Sequence, residues 1–158
     1  MCWACDHPEA DQADYHRDVV LPTIERYGWM VQAVGGDRLH APFAYTVGLT
    51  LAGLPELLVT GLPPERAATL LNGVAAHWLH TDPLPAAGLQ LDWLGRRLEV
   101  VDLPTPWAHL LTAVELYGEA LRAQQLVWAD ERGRWPWERG HRAGRGGQPV
   151  LGPRTVPT

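Results

Sequence analysis

The chain has 158 residues and a mass of 17.5 kDa; 46% of the residues are hydrophobic, 20% are charged and the net charge is −5. This composition excludes disorder over most of the length and fits a single domain, because one core grows to this size without dividing. Serine and lysine are absent altogether, which removes a serine nucleophile, a Schiff-base lysine and a complete phosphate-binding loop from the available chemistry.

In chain order, Ala13, His16, Val20, Ile24 and Tyr27 recur at steps of three or four and predict a helix over residues 11–27. Pro22 falls inside it, so the helix kinks there or restarts at Leu21, and Gly28 ends it. Residues 29–34 and 43–49 read as strands separated by a turn at Gly35-Gly36-Asp37, and residues 56–60 read as a third strand. Pro63 and Pro64 stand where a helix start tolerates proline. From Glu65 onward, Ala67, Leu70, Leu71, Val74, Ala75 and Trp78 keep an unbroken apolar stripe. Residues 89–93 and 97–101 flank Gly95 as a hairpin. Pro104 and Pro106 then introduce another helix, with Trp107, Leu110, Leu111, Val114, Tyr117 and Leu121 on its buried face, and residues 126–128 form a last strand. Strands come in runs without strict alternation with helices, so the expected fold class is α+β: an antiparallel or mixed sheet of five to six strands with about three packed helices.

Charge divides unevenly. From Arg132 onward there are six arginines against Glu138, a local +5 that leaves −10 on the rest. Residues 140–158, rich in Arg, Gly and Pro, are expected to be a disordered tail following a single domain at 1–139. An acidic body repels nucleic acid, so nucleic-acid binding is disfavoured. No apolar run approaches the roughly 20 residues of a membrane span. The opening MCWACDHPEA lacks the features of a signal peptide, and a cytoplasmic location without membrane contact is expected.

Two constellations carry chemistry. Cys2, Cys5 and His7 form a Cys-x-x-Cys-x-His motif, and thiolate and imidazole ligands at such spacing suit zinc; His16, on the buried side of the first helix, is the best fourth ligand. His40, His77, His80 and His109 stand in reserve. The same cysteines also admit a thiol redox pair, a terminal Cys2 activated by its own amine after removal of Met1, or a purely structural role. The second constellation joins Tyr45 and Thr46, on alternate faces of their strand, to the rigid aromatic loop Trp135-Pro136-Trp137, which could cover a flat ligand or a partner, or else seal the edge of the core. Glu56 is the carboxylate to consider as a base, against the simpler reading of an exposed glutamate at a strand start.

Tyr45-Thr46-Val47-Gly48-Leu49, Pro55-Glu56-Leu57, Thr60-Gly61-Leu62, Leu126-Val127-Trp128 and Trp135-Pro136-Trp137 resemble, in order and spacing, the bacterial family known as domain of unknown function 4262. Cys5-Asp6-His7-Pro8 and Gly28-Trp29 are similar to that family's start. The resemblance implies a fold and a bacterial origin, and no catalytic residue follows from it. Two functions are therefore expected to compete. One is a metal-binding accessory protein or enzyme; the other is an interaction module, such as a neutralising partner of another protein, without catalysis. In either case the partner is an unknown small molecule or protein.

Overall fold

The computed structural model describes residues 3–81 and 85–155. A short helix α1 (Trp3–Asp6) precedes a long helical segment, in which α2 (Gln12–Tyr15) passes through a π turn (His16–Val20) into α3 (Leu21–Tyr27). The π turn answers the proline problem: Pro22 occupies the first turn of α3, where its missing N–H costs little, and the Leu21 N–H bonds back to the His16 carbonyl. Strands β1 (Met30–Val34), β2 (Phe43–Val47) and β3 (Glu56–Thr60) follow, then α4 (Pro64–Trp78), β4 (Gln90–Trp93), β5 (Arg96–Asp102), α5 (Leu111–Tyr117) and β6 (Ala123–Trp128).

The six strands make one mixed sheet in the order β1-β2-β3-β6-β5-β4. Every neighbouring pair is antiparallel except β3 with β6, which run parallel with Glu56 opposite Ala123. One face is covered by α4, whose Leu70, Leu71, Val74 and Trp78 pack on Leu57, Val59, Val100 and Leu126. On the other face Val20 of the π turn, Ile24 of α3, Leu110 just before α5 and Ala113 of α5 pack against Tyr45, Val47 and Leu58. Burial of these side chains, at roughly 25 cal/mol per Å2 of apolar surface, is the main force closing both layers.

Two expectations need correction. The second amphipathic helix does not run from residue 107. A 3-10 turn (Pro106–Ala108) ends in non-helical backbone at His109 and Leu110, and α5 starts only at Leu111. This break turns Trp107 and Leu111 outward, at 59% and 58% exposure.

The segment after Gly140 is packed, whereas its composition suggested a disordered tail. His141 and Gln148 are buried, and Val150 joins a small cluster with Val101, Val127 and Trp135. The Gln148 side chain acts like a further strand: its Oε1 accepts from the Trp128 N–H and its Nε2 donates to the Trp128 carbonyl, both at 2.9 Å. Pro149 O accepts from Thr60 Oγ1 and Gln125 Nε2, and Leu151 N donates to Gln125 Oε1. Arg154 closes the strap with two bonds to the buried Glu99, at 2.8 and 3.0 Å.

Candidate anion-binding site

A cleft of about 430 Å3 opens at the carboxyl ends of β3 and β6. β3 leaves the sheet through Gly61-Leu62-Pro63 directly into α4, so the amino terminus of a 15-residue helix faces this end. The carboxyl ends of parallel strands are where folds of this kind gather ligands; at the start of α4 Pro63 and Pro64 lack an N–H, which leaves those of Glu65 and Arg66. Six arginines line the cleft, drawn from separate parts of the chain: Arg66 from the first turn of α4, Arg96 from the start of β5, Arg132 and Arg134 from the turn after β6, and Arg142 and Arg145 from the C-terminal strap. Asp130 and Glu131 are the acidic residues of the lining.

Asp130 anchors the arrangement. It accepts hydrogen bonds from the backbone N–H groups of Arg132, Arg134 and Arg142 at 3.0, 2.8 and 2.8 Å, with Arg134 Nε 3.4 Å away. Burial pushes its carboxyl up, but the Arg134, Arg142 and Arg132 donors and the Arg134 charge outweigh burial and hold it down at about 2. Asp130 is therefore an ionised tie between the turn and the strap, and a poor proton acceptor. Trp128 forms part of the wall: its indole N–H donates to Thr60 O, and the guanidinium groups of Arg96 and Arg142 lie 5.0 and 5.4 Å from its ring. Contacts of this kind hold an arginine in place without neutralising its charge.

The backbone of the strap is shaped around these side chains. Arg142 and Ala143 have φ of 50° and 57°, a left-handed conformation that non-glycine residues keep only where their surroundings enforce it, commonly at binding sites. A Cβ on Gly147 would stand 2.7 Å from Arg142 Nη1, and one on Gly140 would stand 2.7 Å from Arg134 Nη1. These two glycines let a guanidinium lie flat on the main chain. Among the described residues, the side chains of Arg66, Arg132 and Arg145 have no ion-pair or hydrogen-bond partner, and all three residues are exposed.

The residues singled out from sequence lie elsewhere. Cys2 is outside the described residues. Cys5 and His7 are exposed, and His7 is engaged locally: its ring stacks on Trp3 at 4.6 Å and its Nδ1 is 2.9 Å from Trp3 O. His16 is half-buried in the π turn, with Nε2 3.0 Å from Glu115 Oε2. Among the described residues no three His, Cys, Asp or Glu side chains are grouped to hold a metal. Tyr45 and Thr46 are both buried: Tyr45 OH accepts from the Thr112 N–H, and Thr46 belongs to a polar cluster around Glu56. Trp135 and Trp137 stack on each other at 5.3 Å, with Arg154 3.6 Å from the Trp137 ring. The two tryptophans thus form one cluster and Tyr45 belongs to another, so the four residues do not share one surface.

Glu56 is wholly buried and receives the Thr46 hydroxyl, the N–H groups of Gly48, Leu49 and Thr50, and the Thr50 hydroxyl. Burial raises its pKa, opposed by these donors. It also contributes, after burial, to pushing the Tyr117 phenol up to about 12. Glu56 closes the turn after β2 and has no open side from which to act as a base.

The cleft arginines escaped the sequence reading because they are spread from Arg66 to Arg145 without a repeating interval. A partial signal was available. The step from β3 through Gly61-Leu62-Pro63-Pro64 into a helix puts Arg66 near the strand end, and only the parallel pairing of β3 with β6 brings the later arginines to it.

Fold and cleft together define a small α+β domain with an arginine-lined pocket at the ends of its parallel strand pair. A family model described as a domain of unknown function, DUF4262, matches residues 23–142, and the chain belongs to this family. That span contains five of the six cleft arginines and begins after Cys5, His7 and His16. No curated protein and no solved structure matches the chain. Among the described residues, no helix is long and apolar enough to cross a membrane.

Proposed function

We propose that this protein is a binding domain for a small anionic molecule, held in the cleft between the start of α4 and the C-terminal strap. The observation that carries the reading is the gathering of six arginines in the lining of one cleft beside the start of α4, with three of them unpartnered among the described residues. Six arginines around one concave site make a local positive potential in an otherwise acidic protein, which attracts an anionic ligand to that site. Guanidinium groups suit phosphate and carboxylate oxygens, to which they donate in pairs.

The test is calorimetric titration with inorganic phosphate against chloride at matched ionic strength. Saturable binding of phosphate, lost in Arg66→Ala and weakened in Arg132→Ala, is expected. Binding no stronger than that of chloride would remove the reading.

A further inference from the structure

Resting on that reading, we infer that the natural occupant is a compact polyanion carrying two or more linked phosphate groups, rather than a single phosphate, a carboxylate or a nucleic-acid strand. Four observations lead there.

The first is charge. Six guanidinium groups face two carboxylates, and Asp130 is already engaged by three backbone N–H groups. The described lining thus keeps a net +4, of which a monocarboxylate offsets one charge and one phosphate at most about two, so linked phosphate groups compensate more of it than either.

The second is distribution. The arginines come from α4, from the start of β5, from the turn after β6 and from the strap, so they face the cleft from several sides rather than forming one cradle. A cavity of about 430 Å3 has room for linked groups reaching more than one of these sides at once.

The third is the absence, among the described residues, of a free aromatic platform in the lining. Trp128 is the aromatic residue of the cleft; it is 4% exposed and already carries Arg96 and Arg142. Recognition of unpaired bases depends on open rings on which to stack. The cleft thus reads charge rather than a planar ring.

The fourth is the surroundings. The chain outside its last 27 residues carries −10, which repels a long polyanion running over the surface but admits a compact one to the concave site.

The experiment is titration of the full chain with inorganic pyrophosphate, inorganic tripolyphosphate, orthophosphate and a short single-stranded oligonucleotide, all at one ionic strength. Pyrophosphate is expected to bind at least about tenfold more tightly than orthophosphate, a difference of about 1.4 kcal/mol. Arg132→Ala and Arg145→Ala, from the turn after β6 and from the strap, should each remove most of that preference. Both residues are exposed and unpartnered among the described residues, so the variants should fold, and near-UV circular dichroism checks that they do. Equal affinity for orthophosphate and pyrophosphate would overturn the polyanion inference and leave the anion reading standing. Tighter binding of the oligonucleotide would also overturn it. No binding of any anion above chloride would remove both.

Discussion

Replacing Gln148 by alanine tests whether the C-terminal strap is part of the folded domain. The Gln148 amide satisfies both main-chain groups of Trp128, at 2.9 Å each, at a position 5% exposed. β3 has ended its pairing with β6 by Gln125, so the edge of β6 at Trp128 depends on this side chain. Alanine would leave a buried N–H and a buried carbonyl without partners, and each such group costs about 1 to 3 kcal/mol. Partial access of water to the emptied space offsets some of this, so a net loss of about 2 to 4 kcal/mol is expected. For a domain of this size that corresponds to a fall in melting temperature of roughly 6 to 12 °C. Urea unfolding followed by tryptophan fluorescence measures it directly. Arg139→Ala, at an exposed position just before the strap, is the control and should stay within about 0.5 kcal/mol of the parent. If Gln148→Ala is no more harmful than Arg139→Ala, the strap is not docked on β6, and the cleft loses Arg142 and Arg145.

Trp135 is buried and Trp137 only partly so, so Trp135→Ala should cost about 3 to 5 kcal/mol in urea unfolding and Trp137→Ala clearly less; equal losses would refute the assignment. Glu56→Gln places an amide N–H2 among N–H donors that the carboxylate now receives, and a loss of about 2 to 4 kcal/mol is expected, against little effect if the buried carboxylate is dispensable. Asp130, held at about 2 against an ordinary 3.8, adds stability that is present above 3.8 and lost as pH falls toward 2. Glu56 runs the other way, since its raised pKa favours the fold on acidification from above that pKa down to 4.5. Asp130→Asn should therefore flatten the acid limb of the stability curve below about pH 4, and an unchanged limb would count against its role as the tie to the strap.

How much of this was legible depended on whether a residue's environment is local. The stripe from Ala67 to Trp78 predicted α4 to within a residue or two because one helix face packs on one sheet face. β6 begins three residues before the strand expected at residues 126–128. Gln124 and Gln125 look like loop, yet both are buried with their amides bonded to Asp102, Thr60 and Pro149. The helix expected from Trp107 failed because its periodicity continues through His109 and Leu110, where the backbone is not helical. The strap was misread for a related reason. Glycine and arginine in alternation signal a solvated chain by composition, whereas here Gly140 and Gly147 make room for the guanidinium groups of Arg134 and Arg142.

The division of charge along the chain then takes on a different meaning. A basic tail on an acidic body suggests that opposite charges simply pair, and Arg154 with Glu99 does so. Apart from the ionised Asp130, which receives the Arg142 N–H, the rest of the docking is neutral: a glutamine amide against the main chain of Trp128, a proline carbonyl receiving Thr60 and Gln125, and apolar contacts around Trp135. Arg142 is held by a ring, by the Gly146 carbonyl and through its own N–H to Asp130, so its guanidinium is positioned without meeting a carboxylate. A strap attached by ion pairs would have consumed its arginines in docking. One attached by amides and carbonyls delivers Arg142 and Arg145 to the cleft with their charge still to be neutralised, which is what an anion site requires of the residues that build it.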